Sequence, residues 1–447
     1  MKQIDAFKNK QVLVLGLAKS GSAAARLLHS LGAAVTVNDA REEDPEADPL
    51  KALGVEVILG GHPEGLLSRG FDYVIKNPGI RYDHPIVSGA LRKGIPVWTE
   101  VELAWLISEA PFIGVTGSNG KTTTTTLLHH MLHMGGKNPL IAGNIGTPAC
   151  TVAAAAESDQ VVVIELSSFQ LLGTENFRPE IAIWTNLYEA HIDYHGTMEE
   201  YGEAKFNITR NQGPDDVLIY NADQEAVSRY ARRSSAKKVP FTLAGRAREG
   251  ISADDASIYW LGEKLLDRSD IVLPGRHNLE NILTATAAAI LQGCPVEAIR
   301  DVLSSFAGVR HRTQFVREWK HRKFYNDSKA TNTLATKSAL EAFQQPICLL
   351  AGGLDRGHSF DELRPYMDRV SSAVVFGETA ERFRKFAESC GVPVVRDASE
   401  IEDAVEIAAE ISSEGDTVLL SPACASWDQY PSFEIRGDRF IQAVQKL

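Results

Sequence analysis

The run Thr116-Gly117-Ser118-Asn119-Gly120-Lys121-Thr122-Thr123 packs two glycines, a lysine and successive hydroxyls between an apolar stretch from Phe112 and a Thr-rich segment. Read as strand, tight loop and helix start, it aims backbone N–H groups and a helix N-terminus at one place, which suits a triphosphate. Lys121 would reach the β/γ-phosphates, and Thr122 offers its hydroxyl to a magnesium ion. Val115 stands where the commonest phosphate loop has its first glycine, so the loop is a shortened form, Gly117-x-x-Gly120-Lys121-Thr122. ATP use is the reading that follows.

Other chemistry-bearing groups recur at the ends of apolar runs. Glu165 closes Val161–Leu166 beside Ser167 and Ser168, where a carboxylate next to a phosphate loop organises magnesium. His191, in Glu189-Ala-His-Ile-Asp-Tyr-His195, reads equally as a ligand or as a packed histidine. Lys205 on its own reads as a solvated helix lysine. Asp327, Lys329 and Thr331 cluster after the strand pattern that ends at Asn326, with Thr331 or Asn332 able to cap the next helix. Gly352-Gly353-Leu-Asp-Arg356 and Ser421-Pro-Ala-Cys-Ala-Ser426 also follow apolar strands, at the edge where α/β sheets bind ligands. Cys424 in that last run has no histidine dyad in sequence and reads as a small buried thiol.

The elements that must position these groups alternate strand and helix, which predicts parallel, doubly wound sheets. Strand patterns fall at 11–16, 34–38, 55–59 and 73–76, with a helix at 22–31; Gly16-Leu-Ala-Lys-Ser20-Gly21 resembles a dinucleotide fingerprint with Ala18 in the second glycine's place. Asp39 ends the second strand, where a carboxylate can hold a ribose hydroxyl. Further strands are expected at 161–166, 181–185, 347–351, 373–376, 392–395 and 417–420, with Pro393 pushing one of them to an edge. Helices are expected at 199–210, from 278, at 378–389 and at 401–412, and short strands and turns over 240–275. The basic run 310–323 alternates with Phe315 and Trp319 and reads as a solvated hairpin rather than a nucleic-acid patch. The implied boundaries are 1–99, 100–308 and 309–447.

The chain's 447 residues suit two or three domains, and 44% hydrophobic with 23% charged residues is a soluble composition. A formal net charge of −12 argues against generic binding to nucleic acid or an acidic membrane. Five scattered cysteines show neither metal-ligand spacing nor a disulfide framework, so a reducing cytoplasm is expected. Lys2, Asp5, Lys8 and Lys10 do not read as a secretory signal, and no apolar run is long enough to insert in a membrane.

Thr116–Thr122, Glu165-Leu-Ser-Ser168, Asn186-Leu with His191-x-Asp193, His277-Asn278-x-x-Asn281 and His311-Arg312, in this order along the whole chain, resemble the Mur ligases, ATP-dependent amino-acid-adding enzymes of peptidoglycan synthesis. Asn326–Asn332 together with Ser421–Ser426 looks like the branch that adds D-glutamate. The resemblance implies an α/β fold of three domains: a Rossmann-like N-terminal domain for the UDP substrate, a central P-loop ATPase-like domain with a mostly parallel sheet, and a Rossmann-like C-terminal domain for the amino acid. It implies a cytoplasmic, monomeric ligase joining D-glutamate to UDP-N-acetylmuramoyl-L-alanine through an acyl phosphate.

By the same resemblance, Thr122 and Glu165 bind one magnesium ion, and His191 with a carbamylated Lys205 helps hold a second. Asn281, Arg312 and Asp327 hold the adenine, phosphates and ribose of ATP. Asn144 contacts the muramoyl substrate, and Ser20, Asp39, Asn77 and Gly79 lie against its UDP end. Lys329, Thr331, Arg356, Ser426 and Phe433 form the D-glutamate pocket, with Arg356 standing where a lysine is common in the family. Other readings are another ligase of the superfamily (folylpolyglutamate synthetase-like included), an NAD-dependent oxidoreductase, which Ala18 disfavours, and a nucleotide-binding regulator without chemistry.

Overall fold

Five short strands, β1 (Gln11–Leu15), β2 (Ala34–Asn38), β3 (Glu56–Ile58), β4 (Tyr73–Lys76) and β5 (Val97–Trp98), pair in parallel in the order β3-β2-β1-β4-β5. Leu15 lies opposite both Asn38 and Lys76, so Gly16, Asp39 and Asn77 leave the sheet side by side. The first helix runs Lys19–Ser30, three residues earlier than its apolar pattern suggests. It can start so close to β1 because Gly21 has no side chain: a Cβ there would sit 1.9 Å from the Gly16 carbonyl oxygen.

The central sheet adds β6 (Phe112–Thr116), β7 (Asn138–Gly143), β8 (Gln160–Glu165), β9 (Ile181–Trp184), β10 (Val217–Asn221), β11 (Lys237–Thr242), β12 (Ile251–Ala253), β13 (Ser257–Trp260) and β14 (Glu263–Asp267). Their order is β14-β13-β12-β11-β10-β9-β6-β8-β7, parallel except for the β12-β13-β14 meander. The stretch read as short strands and turns is the β11–β14 end of this sheet. β7 escaped the sequence reading; it is an edge strand carrying Pro139, and its half-exposed residues blur the apolar pattern. One apolar cluster runs from Val12, Val14 and Leu28 through the connecting helix Glu100–Ile107 to Val162, Ile164 and Trp184, so the two sheets share a core.

The last sheet contains β15 (Gln314–Trp319), β16 (Arg322–Asn326), β17 (Ile347–Gly352), β18 (Val370–Phe376), β19 (Val395–Asp397) and β20 (Thr417–Leu420), ordered β15-β16-β20-β17-β18-β19. β15 and β16 are the hairpin expected in the basic run; Lys320 and His321 turn it at φ 45° and 59°. β19 is an edge strand that starts two residues after Pro393, later than the apolar residues suggest, because proline cannot donate to the ladder. Leu349, Ala351 and Leu419 pack into one apolar layer and Cys348, Leu350 and Leu420 into another, so both faces of this sheet are buried.

The structure is a computed structural model describing residues 1–447. Met1–Asp270 with Glu280–Val302 form one unit, holding the first two sheets, and Ile271–Leu279 with Leu303–Leu447 form a second. No helix is long and apolar enough to cross a membrane.

Candidate active site

In the first unit, β6 is buried throughout and delivers the chain into Gly117 at φ 150° and Gly120 at φ 81°, backbone that a side chain would strain. Space forbids one as well. A Cβ on Gly117 would lie 2.0 Å from Thr185 Oγ1, and one on Gly120 the same distance from Asn281 Oδ1. Asn281, itself buried, therefore sits under the turn, where Thr124 Oγ1 donates to its Oδ1 at 3.3 Å.

The loop is braced from β9. Ser118 N–H donates to Asn186 O at 3.1 Å, Asn119 N–H to Asn186 Oδ1 at 2.8 Å, and Thr185 Oγ1 to Asn119 O at 2.7 Å. The Ser118 hydroxyl is enclosed by Tyr188 and Tyr201. The amides of Ser118 and Asn119 are thus spent on holding the loop's shape. The helix Lys121–Met134 begins at once, and its first-turn N–H groups, at Lys121, Thr122 and Thr123, are those a helix leaves for an anion.

Two lysine amines converge on one carbonyl: Lys121 Nζ donates to Gly117 O at 2.9 Å and Lys205 Nζ donates to the same oxygen at 2.8 Å. Lys205 is only 1% exposed, which corrects its reading as a solvated lysine. The helix Met198–Phe206 turns it inward, capped by Thr197, whose hydroxyl accepts from Glu200 N–H, and packed through Tyr201, whose ring lies 4.5 Å from the amine. Burial, and then the Lys121 charge, hold Lys205's pKa well below the ordinary lysine range.

His191 occupies the left-handed region at φ 57° and packs its ring 4.9 Å from that of Phe169. Burial, then the charges of Lys205 and Lys121, lower its pKa. His195, pushed down to about 4 chiefly by burial, is hydrogen-bonded through Nε2 to Ser168 Oγ at 2.9 Å.

Glu165 ends β8 next to β6, opposite Val115, and is 2% exposed. Its Oε1 accepts from Asn144 Nδ2 at 2.9 Å, while its buried Oε2 has no partner. A bare carboxylate oxygen in a buried place is costly unless a cation meets it. No three His, Cys, Asp or Glu side chains gather as a protein-only cage. The donor set present, one carboxylate with hydroxyls beside a phosphate loop, fits magnesium, which keeps waters and takes phosphate oxygens.

At the edge of the first sheet, a cavity of about 350 Å³ is lined by Gly16, Asn38, Asp39, Arg41, His62 and Asn77 among others. Leu17 N–H donates to Asp39 Oδ2 at 2.6 Å, and Arg41 grips both carboxylate oxygens at 3.0 Å. Burial pushes Asp39's pKa up, but Arg41 and these N–H bonds outweigh it and bring the value to about 2. Asn77 donates to Ser20 Oγ at 3.2 Å and accepts from Gly79 N–H at 3.1 Å, so these expected contacts form one small network. Asn38, Arg41 and His62 went unnoticed in the sequence; only the sheet register puts them here.

In the second unit the ends of β16, β20 and β17 are neighbours, which brings together residues 327–331, 421–426 and 352–356. Asp327 accepts from Thr313 N–H at 3.1 Å and from Ser421 Oγ at 2.9 Å. Burial raises its pKa to about 7 against the pull of Ser421, Thr313 and Arg312. Lys329 Nζ lies 4.8 Å from the centre of the Phe433 ring, and Arg356 stacks on Trp427 at 4.8 Å. Thr331 precedes Asn332, which is the cap of helix Thr333–Glu341 through Ala335 N–H. Ser426 Oγ is buried without a partner, and Cys424 is a free buried thiol whose pKa burial raises. Arg436, fully buried beside these loops, was also missed; an arginine inside an amphipathic helix pattern reads as surface.

Three family models match in order: a MurD-like Mur ligase N-terminal domain over residues 10–99, a Mur ligase middle domain over 115–289, and a Mur ligase glutamate ligase domain over 311–424. The chain is 55% identical over 450 residues to a UDP-N-acetylmuramoylalanine–D-glutamate ligase of Geobacillus kaustophilus, covering 100% of both chains. The chain belongs to the Mur ligase family. Proteins of the same description from Bacillus cereus and Listeria innocua are 54% and 52% identical, with 100% of this chain covered in each and 100% and 99% of theirs. Among solved structures, a UDP-N-acetylmuramate-alanine ligase of Thermotoga maritima matches at TM-score 0.60 and 21% identity, covering 98% of this chain and 100% of that one. The MurF ligase of Thermotoga maritima in complex with ADP matches at TM-score 0.57 and 16% identity, over 100% and 96%. These two likenesses speak to the fold, and the Mur ligase fold is that of this chain.

Proposed function

We propose that this Mur ligase joins D-glutamate to UDP-N-acetylmuramoyl-L-alanine in cytoplasmic peptidoglycan precursor synthesis, converting ATP to ADP and phosphate. The observation that carries the phosphoryl chemistry is the pair of lysines on the Gly117 carbonyl, on a loop braced beside the unpartnered oxygen of Glu165. The choice of D-glutamate rests on the full-length similarity to D-glutamate ligases. Segments 1–99, 100–308 and 309–447 then serve the UDP substrate, ATP and the amino acid.

A carboxylate at neutral pH is a poor electrophile, so it must be activated. One alanyl carboxylate oxygen attacks the γ-phosphorus, the bond to the β-bridging oxygen breaks, and ADP departs. The neutral amine of D-glutamate then attacks the acyl phosphate carbon, loses a proton, and the C–O bond to phosphate breaks to leave an amide. Charge grows on the transferring phosphoryl oxygens, where Lys121 and the first-turn amides at Lys121, Thr122 and Thr123 supply fixed positive potential. Gly117, Ser118, Asn119 and Gly120 shape the cradle, and Asn281 supports it from beneath. Arg312 and Asp327 suit the phosphates and ribose, because an ionised Asp327 can accept from sugar hydroxyls.

Thr122 and Glu165 would hold a first magnesium ion, and His191 with Lys205 a second. Bound magnesium supplies charge neutralisation for the phosphoryl group. Lys205 as an ammonium is no metal ligand, yet burial and the Lys121 charge favour its neutral form, the one that adds carbon dioxide to become a carbamate. Ser20, Asp39, Asn77 and Gly79 organise the cavity for the UDP end, with Arg41 as the cation facing a pyrophosphate, while Asn144 meets the muramoyl end. Lys329, Thr331, Arg356, Ser426 and Phe433 receive D-glutamate.

The test is phosphate release from ATP with UDP-N-acetylmuramoyl-L-alanine and a panel of D- and L-amino acids. Release that depends on D-glutamate is expected. Release driven equally by other amino acids, or dependence on none, would overturn the reading.

A further inference from the structure

Arg436 lies in the first turn of helix Phe433–Lys446 and is 0% exposed. Its guanidinium threads three segments together. Nε donates to Ser328 Oγ at 3.1 Å, and Nη2 to Ser328 O at 2.9 Å and Cys424 O at 3.1 Å. Nη1 donates to Gly352 O and Ala425 O, both at 3.4 Å. These acceptors belong to the segments leaving β16, β17 and β20, which carry Lys329, Arg356 and Ser426. Gly353 follows the same logic: a Cβ there would lie 3.1 Å from Nη1 and 2.2 Å from Ala425 O.

All five acceptors are uncharged. Asp428 is the carboxylate that bears on the guanidinium electrostatically, but its Oδ2 accepts from Glu378 N–H and its Oδ1 has no partner. Burial lowers Arg436's pKa only to about 10, so the group stays a cation at neutral pH. Carbonyl dipoles satisfy its N–H groups without cancelling its charge, and an unpaired buried cation is expensive to keep. One residue after the Ala425 carbonyl that Arg436 binds, the Ser426 hydroxyl is buried with nothing to bond. A buried cation whose direct contacts are all neutral and a buried hydroxyl lacking its partner, both at the ligand edge of one sheet, give that edge a positive bias that suits an anion.

We infer that Arg436 is the fixed cation beneath the amino-acid pocket, a positioning residue that holds the three loops in register and biases the pocket toward a dicarboxylate. The inference rests on the D-glutamate reading above. It differs from the roles of Lys329 and Arg356 because Arg436 acts from below, through the backbone it binds and through its field.

The test compares wild type with Arg436→Met, Arg436→Lys and Ser328→Ala in the full-length enzyme, measuring KM for each of the three substrates. Arg436→Met should raise KM for D-glutamate by about tenfold or more, as expected for removal of a desolvated charge, with KM for ATP and for the UDP substrate within about twofold. Arg436→Lys, which keeps the charge, should recover part of the loss. Ser328→Ala removes one acceptor and should raise KM for D-glutamate by about threefold; it decides the matter if Arg436→Met does not fold. Unchanged KM for D-glutamate, equal weakening of all three substrates, or a lysine variant no better than methionine would overturn the inference. Wild type lacking D-glutamate-dependent turnover would instead overturn the functional reading.

Discussion

Replacing Glu165 with glutamine should move stability and function in opposite directions. The carboxylate is 2% exposed; one oxygen accepts from Asn144 and the other accepts from nothing. An unmet buried acceptor costs about 1–3 kcal/mol, more when ionised, and the amide keeps the shape and the Asn144 bond while removing the charge. In metal-free buffer Glu165→Gln should therefore be as stable as wild type or more stable, by about 1 kcal/mol. With magnesium and a non-hydrolysable ATP analogue the order should reverse. Ligand at one hundred times its Kd stabilises wild type by about 2.7 kcal/mol, whereas the variant binds the metal complex weakly and gains much less. Turnover should fall about a hundredfold or more, as when a group that stabilises transition-state charge is removed. Denaturant titration with chelator and with metal–nucleotide measures both halves. A variant clearly less stable than wild type in chelator would make the carboxylate a structural group, and a wild-type magnesium response would remove it from the metal site.

Lys121→Ala should abolish acyl phosphate formation while calorimetry still detects the UDP substrate; near-normal turnover would reject its phosphoryl role. Lys205→Ala should lose most activity and recover part of it with short-chain carboxylic acids, which can stand in for a carbamate; full activity without additive would refute that assignment. Asp327 has a folded pKa of about 7 against an ordinary 3.8, so its contribution to stability is complete below about 4 and is lost as pH rises through about 7. Because ribose needs the ionised form, KM for ATP should rise as pH falls below about 7, and Asp327→Asn should flatten that dependence; initial rates across pH 6–9 decide it.

Local chemistry made the phosphate loop, Glu165 and the strand-end runs near Asp327 and Ser426 legible in the sequence, because each lies within a few residues of the glycines or strand that shape it. Apolar periodicity likewise marked strands such as Tyr73–Lys76 and Thr417–Leu420, whose ends were read to the residue. β7 was not legible, since an edge strand needs no continuous apolar run.

Tertiary structure alone decided the rest. Lys205 looks like any helix lysine until the fold brings it 88 positions back along the chain to the Gly117 carbonyl, where desolvation changes its chemistry. Arg436 looks like a surface residue until parallel pairing of β16, β20 and β17 assembles the carbonyls that enclose it. The identity of a donor or acceptor is written in its residue type; burial and company are properties of distant segments brought together, and those set the charge state on which the proposed reaction turns.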